Sequence, residues 1–185
     1  MENYYSFVGG TEGRWRVVSN TAVVGQPLEA VQRIEMINLP AAGVAQHGSW
    51  ILQGFTSNIR YAERSEMIKL RSKQEGLNRP GSLCAALIPI KKSDAWWELT
   101  QEERRAIFEE QSHHTEIALE YLPRIARQLH HCRDLGEPFD FLTWFEFAPE
   151  HISDFNKLLE KLRATKEWCY VEREIDIRIE RNHNE

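Results

Sequence analysis

Apolar and polar positions follow two periods along the chain, and each period predicts a different kind of element. Alternating or continuous apolar runs, which are typical of strands, cover residues 4–8, 14–19, 50–56, 83–90, 125–133, 139–147 and 169–179. Apolar spacings of three and four, which are typical of helices, cover residues 27–38, 63–76, 100–121 and 149–162. From residue 83 onward the order is strand, helix, two strands, helix and strand, as in a ferredoxin-like unit.

The first half of the chain can be laid out in the same order, with a further short strand near residues 58–62. We therefore predict an α+β protein with two ferredoxin-like halves, residues 1–82 and 83–185. A length of 185 residues is typical of one domain, so the two halves should form one compact unit.

The helix predicted over residues 100–121 has the clearest local signals. Thr100 and Glu103 form a T-x-x-E capping box at its start. Its apolar stripe contains Ile107, Gln111, His114, Ala118 and Tyr121. His114 should therefore point toward the core, whereas His113 is turned about 100° away. A histidine on such a face is either a hydrogen-bonded core residue or a metal ligand.

Gln74 and Arg127 have two interpretations each, whereas Lys92 and Glu167 have one from spacing alone. Gln74 lies on the buried stripe of the predicted 63–76 helix. It is either a core amide that bonds to the backbone or part of a functional site. Arg127 shares a strand face with Ile125 and Leu129, which is unusual for a charge unless it is paired or faces a cavity. By spacing alone, Lys92 is a solvated lysine at a strand end and Glu167 a solvated carboxylate in a turn.

Composition and charge exclude several classes of function. A net charge of −5 argues against nucleic acid as the main partner. No segment approaches the ~20 apolar residues of a membrane span, and the N-terminus lacks the pattern of a signal peptide. The three cysteines form no C-x-x-C motif, which favours a reducing, cytoplasmic location.

A metal site built only from side chains is also disfavoured. The candidate ligands are His113, His114, His130, His131 and Cys132, and they show no compact zinc spacing. His130 and His131 are neighbours on a predicted strand, so they should face opposite sides of the sheet.

Four runs in the second half carry a family resemblance: Ala86-Leu-Ile-Pro-Ile-Lys-Lys92, Ala95-Trp-Trp-Glu-Leu99, Gln111-Ser-His-His114 and Tyr121-Leu-Pro-Arg-Ile-Ala-Arg127. Together they resemble the short-chain branch of the chlorite dismutase family. The resemblance covers nearly the whole chain and is densest from Leu83 to Glu150. It implies a homodimeric α/β-barrel with haem b in the C-terminal half of each subunit. It also implies conversion of chlorite to chloride and dioxygen.

The resemblance also implies roles for single residues. His114 matches the proximal iron ligand, Glu167 the carboxylate on its other ring nitrogen, and Lys92 a member of the same proximal network. Arg127 matches the distal arginine and Gln74 the distal amide of the short-chain branch. The positions that resemble contacts to haem edges and propionates are Asn58, Tyr61 and Trp96.

Three alternatives stay open at this point. Coproheme decarboxylases resemble this family in fold, but their chains are typically longer and a distal arginine is not expected at Arg127. A peroxidase-like enzyme would need a distal base to move a proton. A haem-binding or haem-sensing protein without turnover would share the proximal histidine.

Overall fold

The structure, a computed structural model, describes residues 3–38, 48–56 and 76–182. The strands in these ranges, named β1 to β8 in chain order, are Tyr4–Gly10, Trp15–Val24, Arg33–Ile37, Gly48–Phe55, Cys84–Lys92, Ala126–His131, Phe141–Phe147 and Val171–Glu180. They close into an antiparallel barrel in the order β1-β3-β2-β8-β5-β7-β6-β4. The predicted α+β class and the barrel are therefore confirmed.

Each half of the chain contributes a contiguous part of this barrel. The order β4-β1-β3-β2 comes from the N-terminal strands and β8-β5-β7-β6 from the C-terminal strands. The spatial order is therefore the same in both halves: the fourth strand of the half, then its first, third and second strands. The halves join along β2 and β8, and at Phe55 of β4 and His131 of β6. The division into ferredoxin-like halves at residue 82 stays a prediction.

The helices in the described ranges all follow β5. They are α1 (Asp94–Glu98), α2 (Gln101–Arg105), α3 (His114–Tyr121) and α4 (Ile152–Arg163), together with a π-helical turn at Ala106–Gln111 and 3₁₀ turns at Arg133–Leu135, Pro149–His151 and Lys166–Tyr170. Within these ranges no helix combines the length and the apolar character that a membrane crossing requires.

Two apolar cores lie on the two faces of the C-terminal strands. The barrel interior is filled by large buried side chains, among them Phe7, Trp15, Ile34, Leu87, Leu142, Trp144 and Ile175. The outer core lies between the sheet and the helices and includes Ile88, Tyr121, Phe145, Phe147, Phe155 and Leu159. Because side chains alternate along a strand, neighbouring residues of β7 enter different cores.

The helix predicted over residues 27–38 is wrong. Residues 33–37 form β3, which pairs with β1 and β2, and the preceding residues form a loop. Ile34 and Met36 also alternate with polar residues, and this period of two prevails because strand pairing places Ile34 inside the barrel. The predicted strand near 58–62 and almost all of the 63–76 helix lie outside the described residues.

The helix predicted over residues 100–121 is interrupted. Its capping box is confirmed, since the Glu103 N–H donates to Thr100 Oγ1 and the Thr100 N–H donates to Glu103. The π-helical turn then inserts an extra residue, and His113 ends the turn in the left-handed region at φ 49°. This shift buries Ser112, whereas Gln111, predicted to point inward, is exposed.

Candidate functional site

A cavity of about 310 Å³ lies between the outer face of the C-terminal strands and helices α3 and α4. Most of its wall is apolar and comes from residues such as Ile88, Ile90, Phe108, Leu129, Phe145, Leu158 and Leu162. The polar side chains that also line the cavity are Thr56, Lys92, His114, Arg127, Gln128, His131, Thr143 and Glu167. The cavity is thus mainly apolar and has a few charged groups in its wall, as is typical of cofactor sites.

His114 is the first residue of α3, and its imidazole borders the cavity. Its Nδ1 lies 2.8 Å from Glu167 Oε2, and its ring stacks on Phe108 with 4.2 Å between centroids. A carboxylate accepts, so Nδ1 carries the proton in this pair. Nε2 is therefore the ring nitrogen left to bind a metal.

The local fold around the π-helical turn holds this histidine in place. Because His113 breaks the helix, α3 needs new partners for its first N–H groups. Glu109 supplies one, since its carboxylate accepts from the Thr115 N–H at 3.3 Å and from the Thr115 hydroxyl. The Glu167 N–H donates to Ser112 Oγ at 3.0 Å, which ties the two turns together.

Glu167 is a buried carboxylate shared between two donors. Its second oxygen, Oε1, accepts from Lys92 Nζ at 2.8 Å. Burial acts to raise the pKa of the Glu167 carboxyl, but the charges and hydrogen bonds of His114 and Lys92 outweigh burial and hold that pKa at about 2. Glu167 is therefore ionised at neutral pH and pulls on the His114 proton, which makes the imidazole a stronger donor to a metal.

The ammonium of Lys92 is buried together with its partner. The residue is 4% exposed, and Nζ lies 4.8 Å and 5.3 Å from the ring centroids of Trp96 and Trp168. Two aromatic faces and one carboxylate thus replace water around this cation. The structure brings Lys92, His114 and Glu167 together, as the resemblance implied, although their chemical roles stay predictions.

Arg127 faces the same cavity from β6, on the side of the strand that also presents Leu129 and His131. Burial lowers the pKa of the guanidinium, and the negative charge of Glu167 raises it in part. An arginine starts from so high a pKa that it remains protonated at neutral pH. The cavity therefore contains a permanent cation that offers several N–H donors to an anion.

The remaining predicted site residues divide into two groups. Trp96 borders the cavity beside Lys92, as the resemblance implied for a residue at the cofactor edge. Gln74, Asn58 and Tyr61 lie outside the described residues, so their roles stay predictions.

The histidines and Cys132 considered as a metal cluster are spread over different parts of the fold. His130 is fully buried in the barrel beside Tyr5 and Phe7, whereas His131 borders the cavity. The prediction that these two face opposite sides is confirmed. Across the described ranges, no three His, Cys, Asp or Glu side chains form a group that could hold a metal ion.

Sequence reasoning missed two residues of the cavity wall. His131 was treated only as a zinc candidate, although it follows Arg127 and Leu129 at strand spacing and so shares their face. Trp168 borders the cavity beside Lys92, and its indole N–H donates to Glu174 at 2.7 Å. The strand period could have found His131, but no local signal singles out Trp168.

This arrangement fits a flat apolar cofactor with a metal centre. The apolar wall would pack against the cofactor, and His114 Nε2 could bind the metal, since Nδ1 is held by an ionised carboxylate. A neutral imidazole with a carboxylate behind it is a common axial ligand for iron.

Known proteins resemble this chain along most of its length. A family model described as chlorite dismutase matches residues 22–182. The curated chlorite dismutase of Ideonella dechloratans is 31% identical over 121 residues, which are 64% of this chain and 40% of that protein. The chain thus spans less than half the length of this curated relative.

Solved structures agree on the fold. A structure of dimeric chlorite dismutases from Nitrobacter winogradskyi is 54% identical, with a TM-score of 0.89, over 96% of this chain and 99% of that one. A mutant chlorite dismutase from Candidatus Nitrospira defluvii has a TM-score of 0.70 at 20% identity, over 100% of this chain and 94% of that one. The latter likeness supports the fold alone.

Proposed function

Because the chain belongs to the chlorite dismutase family, we propose that it is a haem b enzyme that converts chlorite to chloride and dioxygen. The observation that carries this proposal is one apolar cavity lined both by a histidine bound to a carboxylate and by a half-buried arginine. The histidine suits an axial ligand, and the arginine suits a small anion.

In this proposal His114 ligates the iron, and the apolar wall packs against the porphyrin. The haem would supply the redox chemistry that breaks a chlorine–oxygen bond and forms the oxygen–oxygen bond. The reaction ClO₂⁻ → Cl⁻ + O₂ is balanced and consumes no proton, so the protein needs no distal base for the overall reaction.

The task of Arg127 follows from its fixed charge. Once the first chlorine–oxygen bond breaks, a fragment at the oxidation level of hypochlorite must stay in the cavity for the oxygen–oxygen bond to form. A protonated guanidinium with several donors can hold this anionic fragment. Arg127 is therefore proposed to retain the fragment more than to break the bond.

The test is an oxygen-electrode measurement on the haem-loaded protein with chlorite as the only substrate. We expect one dioxygen for each chlorite consumed. Arg127→Ala should release less dioxygen per chlorite, lose its Soret band faster and yield more hypochlorite to a chlorination-sensitive trap. Arg127→Lys should lie between the two, because an ammonium keeps the charge without the planar fork.

Arg124→Ala is the matched control, since Arg124 is an exposed arginine that pairs with Asp154. It should behave as the wild type does. If the wild type released no dioxygen, the proposed function would be wrong. If Arg127→Ala lost dioxygen release without more trapped hypochlorite or faster bleaching, Arg127 would act before bond cleavage.

A peroxidase-like activity is the second candidate, because His131 puts an imidazole on the cavity wall. Imidazole is the commonest side chain for proton transfer. Faster turnover of hydrogen peroxide with an organic donor than of chlorite, abolished in His131→Gln, would favour this candidate over the first.

We also propose a cytoplasmic homodimer. Cys84, Cys132 and Cys169 are all free thiols, which suits a reducing compartment. The 54% identical structure is described as dimeric, and it is similar to this chain over nearly its full length. Light scattering that reported a monomer or a pentamer would refute the dimer.

A further inference from the structure

Lys92 lies at an irregular point of its strand. The pairing of β5 with β7 ends at Ile90, and the register between β5 and β8 shifts between Lys91 and Lys92. Lys91 pairs with Arg173 and Lys92 with Val171, so β8 has one extra residue here, and such a bulge disrupts the regular ladder. The Lys92 N–H therefore needs a partner other than the ladder bonds to β7.

A buried carboxylate, Asp140, supplies that partner. Its Oδ2 accepts from the Lys92 N–H at 2.7 Å and from Trp97 Nε1 at 3.2 Å. Its Oδ1 accepts from Arg133 at 3.3 Å. The Asp140 N–H donates to the Ile90 carbonyl at 2.9 Å. Asp140 thus binds β5 on both sides of the register shift, through its backbone at Ile90 and through its side chain at Lys92.

The position of the Lys92 backbone matters because its buried ammonium forms an ion pair with Glu167. Lys92 Nζ donates to Glu167 Oε1 at 2.8 Å and lies over the rings of Trp96 and Trp168. A four-carbon chain that starts from a displaced backbone would place the ammonium away from Glu167. Asp140 has no hydrogen bond to Glu167 or His114 among the described residues, and Lys92 is the partner of Asp140 that also binds Glu167.

We propose that Asp140 is a positioning residue that holds Lys92 on Glu167 and thereby sets how strongly His114 donates to the iron. This inference rests on the proposed function for the iron. The bound ammonium withdraws electron density from Glu167, so Glu167 pulls less on the His114 proton. Without the ammonium, Glu167 would pull harder, His114 would become a stronger donor, and the Fe(III)/Fe(II) potential would fall.

The first measurement is the Fe(III)/Fe(II) potential of the haem-loaded protein by spectroelectrochemistry. Asp140→Ala removes the acceptor of the Lys92 N–H and should lower the potential. Asp140→Asn keeps an oxygen where Oδ2 lies and should restore it. Glu167→Gln gives the opposite sign as a reference, because a neutral partner weakens the imidazole as a donor and raises the potential.

Arg133→Gln separates positioning from general support of the fold. It removes the ion pair between Arg133 and Oδ1 but leaves Oδ2 free to accept from Lys92. We expect its potential to equal that of the wild type. If Asp140→Ala fails to fold, Asp140→Leu replaces it, since leucine is close in shape to aspartate and also lacks an acceptor.

The second measurement needs no haem. The apoprotein is treated with an amine-acylating reagent, and the modification of Lys92 is compared with that of Lys91 by mass spectrometry. Lys91 is an internal standard on the same strand, because its side chain is 45% exposed and pairs with Glu172 of β8. In Asp140→Ala, Lys92 should react about tenfold faster relative to Lys91, since a hydrogen bond to a charged acceptor contributes that order of free energy.

The two measurements distinguish the ways in which the proposals can fail. A wild-type potential together with wild-type protection of Lys92 in Asp140→Ala or Asp140→Leu would overturn the inference about Asp140. So would a potential that rises in these variants, or one that falls equally in Arg133→Gln. Failure of the wild type to bind haem through His114 would overturn the proposed function instead, and the protection of Lys92 in the apoprotein would still test Asp140.

Discussion

The two faces of the sheet formed by the C-terminal strands differ in how ionisable side chains are accommodated. His130 points into the barrel, where it is fully buried, lies edge-on to Tyr5 and Phe7, and has Nδ1 3.0 Å from the Leu142 carbonyl. Burial lowers the pKa of His130 to about 4, so it is neutral at pH 7. The interior thus admits a polar residue by removing its charge.

The outer face keeps its charges by pairing them around a cavity. Lys92 and Glu167 are nearly as buried as His130, yet the pKa of Glu167 is held at about 2 by its partners. Burial alone therefore does not decide whether a group is charged. A nearby partner does, and on this face the partners also connect the carboxylate to His114.

A second buried carboxylate on the outer face shows that pairing alone does not make a site. Glu174 is fully buried and accepts from Arg163 and from the indole of Trp168. No histidine joins it among the hydrogen bonds of the described chain. The difference between Glu167 and Glu174 is thus a ligand-type side chain that borders a cavity.

The largest expected effect separates His114 from its sequence neighbour. His114→Ala should leave the protein with little or loosely held haem, because it removes the proposed iron ligand. His113→Asn should bind haem normally, since His113 is exposed and asparagine tolerates its left-handed backbone. Haem content and the Soret band report both. An unchanged Soret band in His114→Ala would show that another residue ligates the iron.

The next largest effect is expected on the free energy of unfolding of the apoprotein, measured for one leucine from each face of the sheet. Leu142→Ala should lower the free energy of unfolding by about 2–5 kcal/mol, because it opens a cavity in the close-packed barrel. Leu129→Ala should lower it by only about 1 kcal/mol, because Leu129 already borders a cavity. Denaturant unfolding of both variants measures this. Equal losses would mean that the cavity wall is packed as tightly as the interior.

Local signals in the sequence predicted the parts of this site that depend on neighbours in the chain. The capping box at Thr100 and Glu103 and the opposite faces of His130 and His131 required only a helix start and a strand period. Arg127 was singled out because a charge shares a face with apolar residues.

The remaining parts depend on contacts between distant residues. Glu167 lies 53 residues from His114 and 75 from Lys92 in the sequence. No periodicity connects these three residues, so only the family resemblance predicted that they belong to one network. The strand at Arg33–Ile37 was missed because pairing with β1 overrides its helical spacing. The π-helical turn and the left-handed His113 were missed because propensities describe regular helices.

The smallest expected effect is the pH dependence of the stability, which tests the difference between the two faces. The pKa of His130 falls from 6.5 to about 4 on folding, so the unfolded chain binds a proton at a higher pH than the folded protein. Stability should therefore decrease as the pH falls from 6.5 to 4, by at most ~3 kcal/mol for this group, and not decrease further below pH 4. For Glu167 the pKa falls from 4.5 to about 2, so its contribution is complete above pH 4.5 and is lost as the pH falls toward 2.

Two variants of the apoprotein test which residue causes the loss of stability in each of these pH ranges. His130→Asn keeps an N–H donor near the Leu142 carbonyl but cannot take up a proton, so the loss of stability between pH 6.5 and 4 should shrink. Glu167→Gln should shrink the loss of stability below pH 4.5, because the variant has no carboxylate to protonate. Denaturant unfolding at each pH measures both. If His130→Asn kept the wild-type slope between pH 6.5 and 4, the interior would not exclude the charge of His130, and the contrast between the two faces would be wrong.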